Sequence, residues 1–218
     1  MNTKRIIFWA SFIIILALIV WGLIASMNKL PRRNLSNIVP GPVTAADHIR
    51  GNPNAPVTVI EYEDFQCPAC ATYFPVMEKL FNESSTTMRL VFRHFPLTQH
   101  ANAIPAAEAS EAAATQGKFW GMYSLLYANQ NDWSEKPHAD AESIFEGYAT
   151  TLGLDITKFK ADLVSSTTAA IIMAGETESR KIGIDHTPTY FVNGKETNFA
   201  TYEEIKKTVD EAASAATK

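Results

Sequence analysis

Cys67 and Cys70 are the two cysteines of a 218-residue chain, and Cys67-Pro68-Ala69-Cys70 sets them three positions apart. A disulfide across so short a loop removes little entropy from the unfolded chain. The pair therefore reads as a dithiol that is made and broken rather than as a staple. Pro68 suits the first turn of a helix, and Ala69, Ala71 and the spacing of Met77, Leu80 and Phe81 continue one. Cys67 then stands at a helix N-terminus, where unpaired N–H groups and the positive end of the macrodipole favour a thiolate and lower its pKa from ~8.5. It is the attacking sulfur, and Cys70, one turn further in, is the buried resolving thiol. Half of a zinc site is the competing reading. Structural zinc takes four Cys or His ligands, and the chain has no second C-x-x-C and no H-x3-H, so redox chemistry is preferred and no metal or cofactor is expected.

The run Val57 to Phe65 reads as a strand feeding the motif, dense enough in apolar residues for a central position in a sheet. Glu61 interrupts it. An acid six residues before the nucleophile can relay a proton beneath the dithiol, or can sit on a solvated sheet face. Glu63 and Asp64 are expected to be solvated charges at the strand end. A second cluster runs from Ile184 to Lys195: Pro188 opens an apolar strand, and Asn193-Gly194 is a two-residue hairpin turn.

Taken together, the chain resembles the DsbA family of thioredoxin-fold oxidoreductases, in the membrane-anchored, BdbD-like form found in Gram-positive bacteria. The resemblance rests on Gly51 to Val57, Phe65-Gln66-Cys67-Pro68-Ala69-Cys70, Phe92 to Leu97, Gln116 to Trp120, and Thr187 to Gly194, in the family's order over residues 48 to 210. It implies Cys67 as nucleophile, Cys70 as resolving thiol, Glu61 as the buried acid, and Thr187-Pro188 as a cis-proline loop that faces the dithiol and pairs with substrate backbone. It also implies an α/β thioredoxin fold with an inserted helical domain. Two positions depart from the family. Ala69 offers the thiolate neither charge nor side-chain hydrogen bond where relatives carry His, Ser or Tyr, which predicts a less oxidising disulfide than in relatives with His. His186 stands where the family is often small; it can tune Cys67 from nearby or point to solvent, and the solvent position is the expectation.

The elements that must position these residues follow from composition. Ile6 to Ser26 carries no charge and, at 1.5 Å per residue, reaches about 31 Å, enough to span a bilayer. The run is too long for a signal-peptide core and lacks a convincing cleavage site, so residues 1–29 read as an uncleaved single-pass membrane anchor, with Trp9 and Trp21 near its ends. Flanking positive charges nearly tie. Orientation is set by the chemistry instead: a disulfide-forming domain belongs outside the membrane, with the N-terminus in the cytoplasm. Residues 30–46, with Pro31, Pro40, Gly41 and Pro42, read as a linker, and 47–218 as one DsbA-like domain with a helical insertion at about 99–180. Within it, Met88 to Phe95 reads as a strand, Ala101 to Arg180 as a helical stretch with Phe119, Trp120, Tyr123, Leu126 and Tyr127 in its core, Thr197 to Phe199 as a strand, and Tyr202 to Ala213 as a last helix. The tail from Ala212 is expected to fray.

The first 34 residues hold five basic and no acidic groups, leaving 14 basic against 23 acidic residues and a charge of −9 for the rest. That balance argues against nucleic acid or anionic lipid as partners of the domain. His48, His94, His100 and His138 show no metal-ligand spacing and receive no role. The expected activity is a monomeric protein disulfide oxidoreductase that donates the Cys67–Cys70 disulfide to cysteine-containing extracytoplasmic proteins and is reoxidised by a membrane partner of DsbB or VKOR type. A reductase or isomerase of the same fold, and a metallochaperone holding Cu(I) between the two sulfurs, are its rivals.

Overall fold

The computed structural model describes residues 38–216, together with positions 9, 12, 13, 15, 16, 18, 21 and 22, which are helical. Most of the expected anchor at 6–26, and the linker up to residue 37, lie outside the described residues; among those described, no helix is long and apolar enough to cross a membrane. The chain forms two compact units, Met1–Leu35 and Ser36–Lys218. The second carries the dithiol.

Its centre is a five-stranded sheet in the order β1 (His48–Gly51), β3 (Met88–His94), β2 (Val57–Glu63), β4 (Thr189–Val192), β5 (Lys195–Glu196). The middle strand, β2, runs parallel to β3 and antiparallel to β4. Alternation along a strand sends Val57, Val59, Glu61 and Glu63 to one face. The parallel register adds Met88, Leu90, Phe92 and His94 to that face. Helices α1 (Pro68–Ser84) and α8 (Tyr202–Ala216) help bury Val57, Val59, Met88 and Leu90 there. Phe92 joins the core of the helical block, α2 (Ala103–Ala114), α3 (Phe119–Ala128), α4 (Gln130–Trp133), α5 (His138–Thr151) and α6 (Ile156–Leu163). The opposite face, Ile60, Tyr62, Val91 and Phe191, packs with Ile182 of α7 (Ser166–Ile182) and with Ile38 and Val43. There α7 comes so close to β3 that a Cβ on Gly175 would stand 2.7 Å from the His94 carbonyl oxygen, which reserves the position for glycine.

The expected helical stretch resolves into six helices, with two of its breaks where Gly117 and Gly153 take positive φ. Strand β1, four residues long and not expected from the sequence, closes one edge of the sheet. Three local expectations are corrected. The hairpin partner of β4 is Lys195–Glu196 rather than Thr197 to Phe199, because the two-residue Asn193-Gly194 turn pairs Val192 directly with Lys195. The last helix continues to Ala216 instead of fraying at Ala212. Finally, the end of the expected linker belongs to the folded unit: the buried Arg93 guanidinium donates to the carbonyls of Gly41 and Pro42 and pairs with Asp47 and Glu178. A proline-rich composition reads as a tether until a buried cation claims its carbonyls.

Candidate active site

Cys67 is the N-cap of α1, with extended φ and ψ of −66° and 121°, and Pro68 follows at the first helical position. Its sulfur lies 3.5 Å from the carbonyl oxygen of Thr187, and the Thr187–Pro188 peptide is cis. Both cysteines are free thiols, Cys67 6% and Cys70 0% exposed. Their environments drive them apart. The Cys67 pKa falls to about 5, chiefly because the Cys70 thiol donates to the thiolate; Thr187 and the N–H groups of Cys70 and Ala69 add to this against the cost of burial. No formed hydrogen bond caps the helix through the Cys67 side chain, so the backbone effect is that of orphan N–H groups aimed at a charge. Burial, then the Cys67 interaction and the charge of Glu63, push the Cys70 thiol well up. Near neutrality one sulfur is a thiolate and the other a thiol. Ala69 lacks a polar side chain, yet its backbone supplies part of what the side chain cannot.

The loop before Cys67 is held by residues that the sequence reading gave no role. Asp64 accepts from the N–H of Gln66 at 2.7 Å and of Leu97 at 2.9 Å, and lies 2.6 Å from His100 Nδ1. Gln130 Nε2, on α4, donates to the carbonyls of Phe65 at 2.7 Å and Cys67 at 3.0 Å. Gln66 Oε1 accepts from the N–H of Asn102, and its amide donates to the Ser134 carbonyl. The helical block is thus stitched to the backbone of Cys67 itself. Phe65-Gln66 stood in the motif, but nothing local in the sequence pointed to Gln130.

Beneath the dithiol lie two acids. Glu61 is 0% exposed and makes no hydrogen bond of full geometry, though the Tyr123 hydroxyl lies close enough to ease its charge; its pKa is raised well above the usual range by burial first and by Glu63 second. Glu63 and Asp64, expected to be solvated, are 1% and 2% exposed. Helices α3 and α4, from sixty residues further on, cover the end of β2 that would otherwise reach water. Glu63 Oε1 accepts from the Tyr190 hydroxyl at 2.8 Å, and burial pushes its pKa up to about 7. The alternation of Glu61 and Glu63 on one strand face was the available signal.

Thr187 and Pro188 border an open cleft of about 220 Å³, shared with Tyr73, His186, Tyr190 and Phe199. His186 is exposed there, its Nδ1 2.9 Å from Asp185 Oδ1. A larger hollow of about 720 Å³ lies along α8 and contains neither cysteine. Two of the unassigned histidines meet in space: the Nε2 atoms of His48 and His94 lie 2.6 and 2.7 Å from the same oxygen of Glu111. These three could offer ligand atoms to a cation, but at these distances they already form a closed hydrogen-bonded cluster.

A family model described as thioredoxin matches residues 44–211, most of the folded unit. The chain belongs to the thioredoxin family. Within that family its fold is DsbA-like. It superposes on α-DsbA1 of Wolbachia pipientis with a TM-score of 0.72 at 20% identity, covering 81% of this chain and 94% of that one. Against oxidised BdbD of Bacillus subtilis the TM-score is 0.70 at 26% identity, covering 82% and 99%. Among curated proteins, it is 43% identical over 150 residues to the Na(+)/H(+) antiporter NhaA 1 of Salinispora arenicola, covering 68% of this chain and 22% of that protein. NhaA 1 of Mycolicibacterium gilvum is 38% identical over 154 residues, again 68% of this chain and 24% of the relative. The chain spans less than a quarter of the length of these relatives. This thioredoxin-family chain has the fold of thiol–disulfide oxidoreductases, and its buried C-x-x-C pair has the unequal acidity that exchange requires.

Proposed function

We propose that this chain is a thiol–disulfide oxidoreductase that oxidises cysteine pairs in proteins outside the cytoplasmic membrane. The observation that carries the reading is the split between Cys67, ionised about two units below neutrality, and Cys70, held protonated by burial. A thiolate stabilised in the reduced form makes the disulfide a stronger oxidant. In the forward direction a substrate thiolate attacks Cys67 Sγ, the Cys67–Cys70 bond breaks, and Cys70 leaves. Substrate backbone lies along Thr187-Pro188 in the adjoining cleft. A second substrate thiol then attacks the mixed disulfide and releases Cys67 as a thiolate. Glu61 serves as the buried acid, and a membrane disulfide-generating partner of DsbB or VKOR type restores the disulfide.

The uncharged segment from Ile6 to Ser26 anchors the chain, with the dithiol domain facing outward. A membrane setting is in keeping with the curated relatives, which are named as antiporters and contain a stretch matching about 150 residues of this chain. After reduction of intact cells with a membrane-impermeant phosphine, a membrane-impermeant maleimide should label Cys67; labelling only after lysis would place the domain on the inner side.

Direction is tested by the reduction potential of the compact unit from Ser36 on, equilibrated in glutathione buffers. The expected value lies near or above about −180 mV, and one near −270 mV would make the protein an electron donor to its substrates.

A further inference from the structure

Every exchange at the dithiol moves one proton. Cys67 stays ionised near neutrality, whereas Cys70 rests as a thiol and must react as a thiolate. Two carboxyls share the sheet face beneath it, and Glu63 stands two residues nearer the motif than Glu61. The charge of Glu63 acts on Cys67 and on Cys70; the groups that act on Glu61 are Glu63, Tyr123, Glu78 and Arg50.

The pocket is short of partners. The groups that face the two carboxyls are tyrosine hydroxyls, Tyr123 at Glu61 and Tyr127 and Tyr190 at Glu63, and of these only the Tyr190 bond has full hydrogen-bond geometry. Among the described residues no Lys, Arg or His lies within ion-pair distance of either carboxyl. His94, level with Glu63 on β3, is bound to Glu111; Arg50 on β1 is paired with Glu78 of α1; Asp64 is engaged by His100. Two carboxyls in one buried pocket without a cation do not both ionise, so the pair retains a proton at neutral pH.

We infer that Glu63 exchanges the proton with Cys70, and that Glu61 behind it holds the reserve proton of the pair. The inference rests on thiol–disulfide exchange at Cys67. When substrate attacks Cys67 Sγ, the electron pair of the broken S–S bond goes to Cys70 Sγ, and the proton of Glu63 follows it. In reoxidation Cys67 is first joined to a sulfur of the partner's disulfide. Glu63 carboxylate then takes the Cys70 proton, Cys70 attacks Cys67 Sγ, and the partner's sulfur leaves as a thiolate. Joining Cys67 to a partner also removes the thiolate charge that raises the Glu63 pKa. Glu63 therefore ionises when a base is needed.

The test uses the full chain, reduced and then charged at Cys67 with 5-thio-2-nitrobenzoate, whose release reports the attack of Cys70. In the wild type the release rate should rise with pH through an inflection below about 7. Glu63→Gln should abolish that inflection and slow release at pH 7.5 by about a hundredfold. Tyr190→Phe, which keeps the carboxyl but removes one of the two tyrosine bonds that lower its pKa, should move the inflection upward and serves if the glutamine variant does not fold. An inflection retained in Glu63→Gln, or unmoved in Tyr190→Phe, overturns the assignment. Failure of Cys67 to take up the chromophore at all would instead overturn the exchange reading on which it stands.

Discussion

Glu111 and Glu63 are the same side chain, 3% and 1% exposed, and His94 relates to both: it is the register partner of Glu63 across β2 and β3, and its Nε2 lies 2.7 Å from Glu111. They are treated in opposite ways. Glu111 receives both His48 and His94 on one oxygen, and those bonds pull its pKa down to about 2 against the cost of burial. Glu63 receives neutral tyrosine hydroxyls, from Tyr127 and Tyr190, and burial pushes its pKa up to about 7. The imidazole level with Glu63 serves the other acid. Burial alone therefore does not set the state of a carboxyl; the placement of the compensating groups does. At Glu111 compensation ties β1, β3 and α2 together. At Glu63 its lack leaves a group that titrates near neutrality beside the thiols, and that is a cost in stability accepted at a reactive site.

The comparison breaks first at Glu111. Above about pH 4.5 the unfolded carboxyl is ionised as well, and the depressed native pKa contributes its full stabilisation; the contribution is lost as pH falls from about 4.5 towards 2. Glu111→Gln should lower unfolding free energy at pH 7 by about 3 kcal/mol. It should also flatten the acid limb of the stability curve in that window. Equal urea midpoints for variant and wild type at pH 7 would mean that the two histidines compensate nothing.

Sequence and structure diverge along this same line. The dithiol, Pro68, the Thr187-Pro188 loop and the Asn193-Gly194 turn are legible because their chemistry is local: the residues that act are adjacent in the chain. The central strands are legible too, because β2 and β3 carry dense apolar runs. What escaped reading depends on distant partners. Glu63 and Asp64 look like a solvated strand end until the helical block from Ala103 on closes over them. His48, His94 and Glu111 show no spacing, since two strands and a helix bring them together. Gln130 reaches Cys67 from 63 residues away. The 38–46 segment reads as part of a linker because its proline content is visible in the sequence and its bonds to Arg93 are not.

A smaller effect sharpens the comparison, and its sign is opposite. The native pKa of Glu63 is raised, so its burial costs nothing below the unfolded value of about 4.5, where the group is protonated in both states; the cost grows between about 4.5 and 7, where the unfolded chain alone ionises, and is constant at its full value above about 7, where both states are ionised. A shift of that size corresponds to about 3 kcal/mol; the glutamine side chain can still accept from Tyr190, with a weaker bond. Glu63→Gln in the reduced protein should therefore gain about 2 kcal/mol at pH 8 and nothing at pH 4. Reduction matters because the Cys67 thiolate is one of the charges that hold the Glu63 proton. A gain confined to high pH in Glu63→Gln, beside a loss confined to the range above about 4.5 in Glu111→Gln, would separate the two acids by their compensation. A variant that loses stability equally at both pH values would make Glu63 a packing residue whose charge is never expressed.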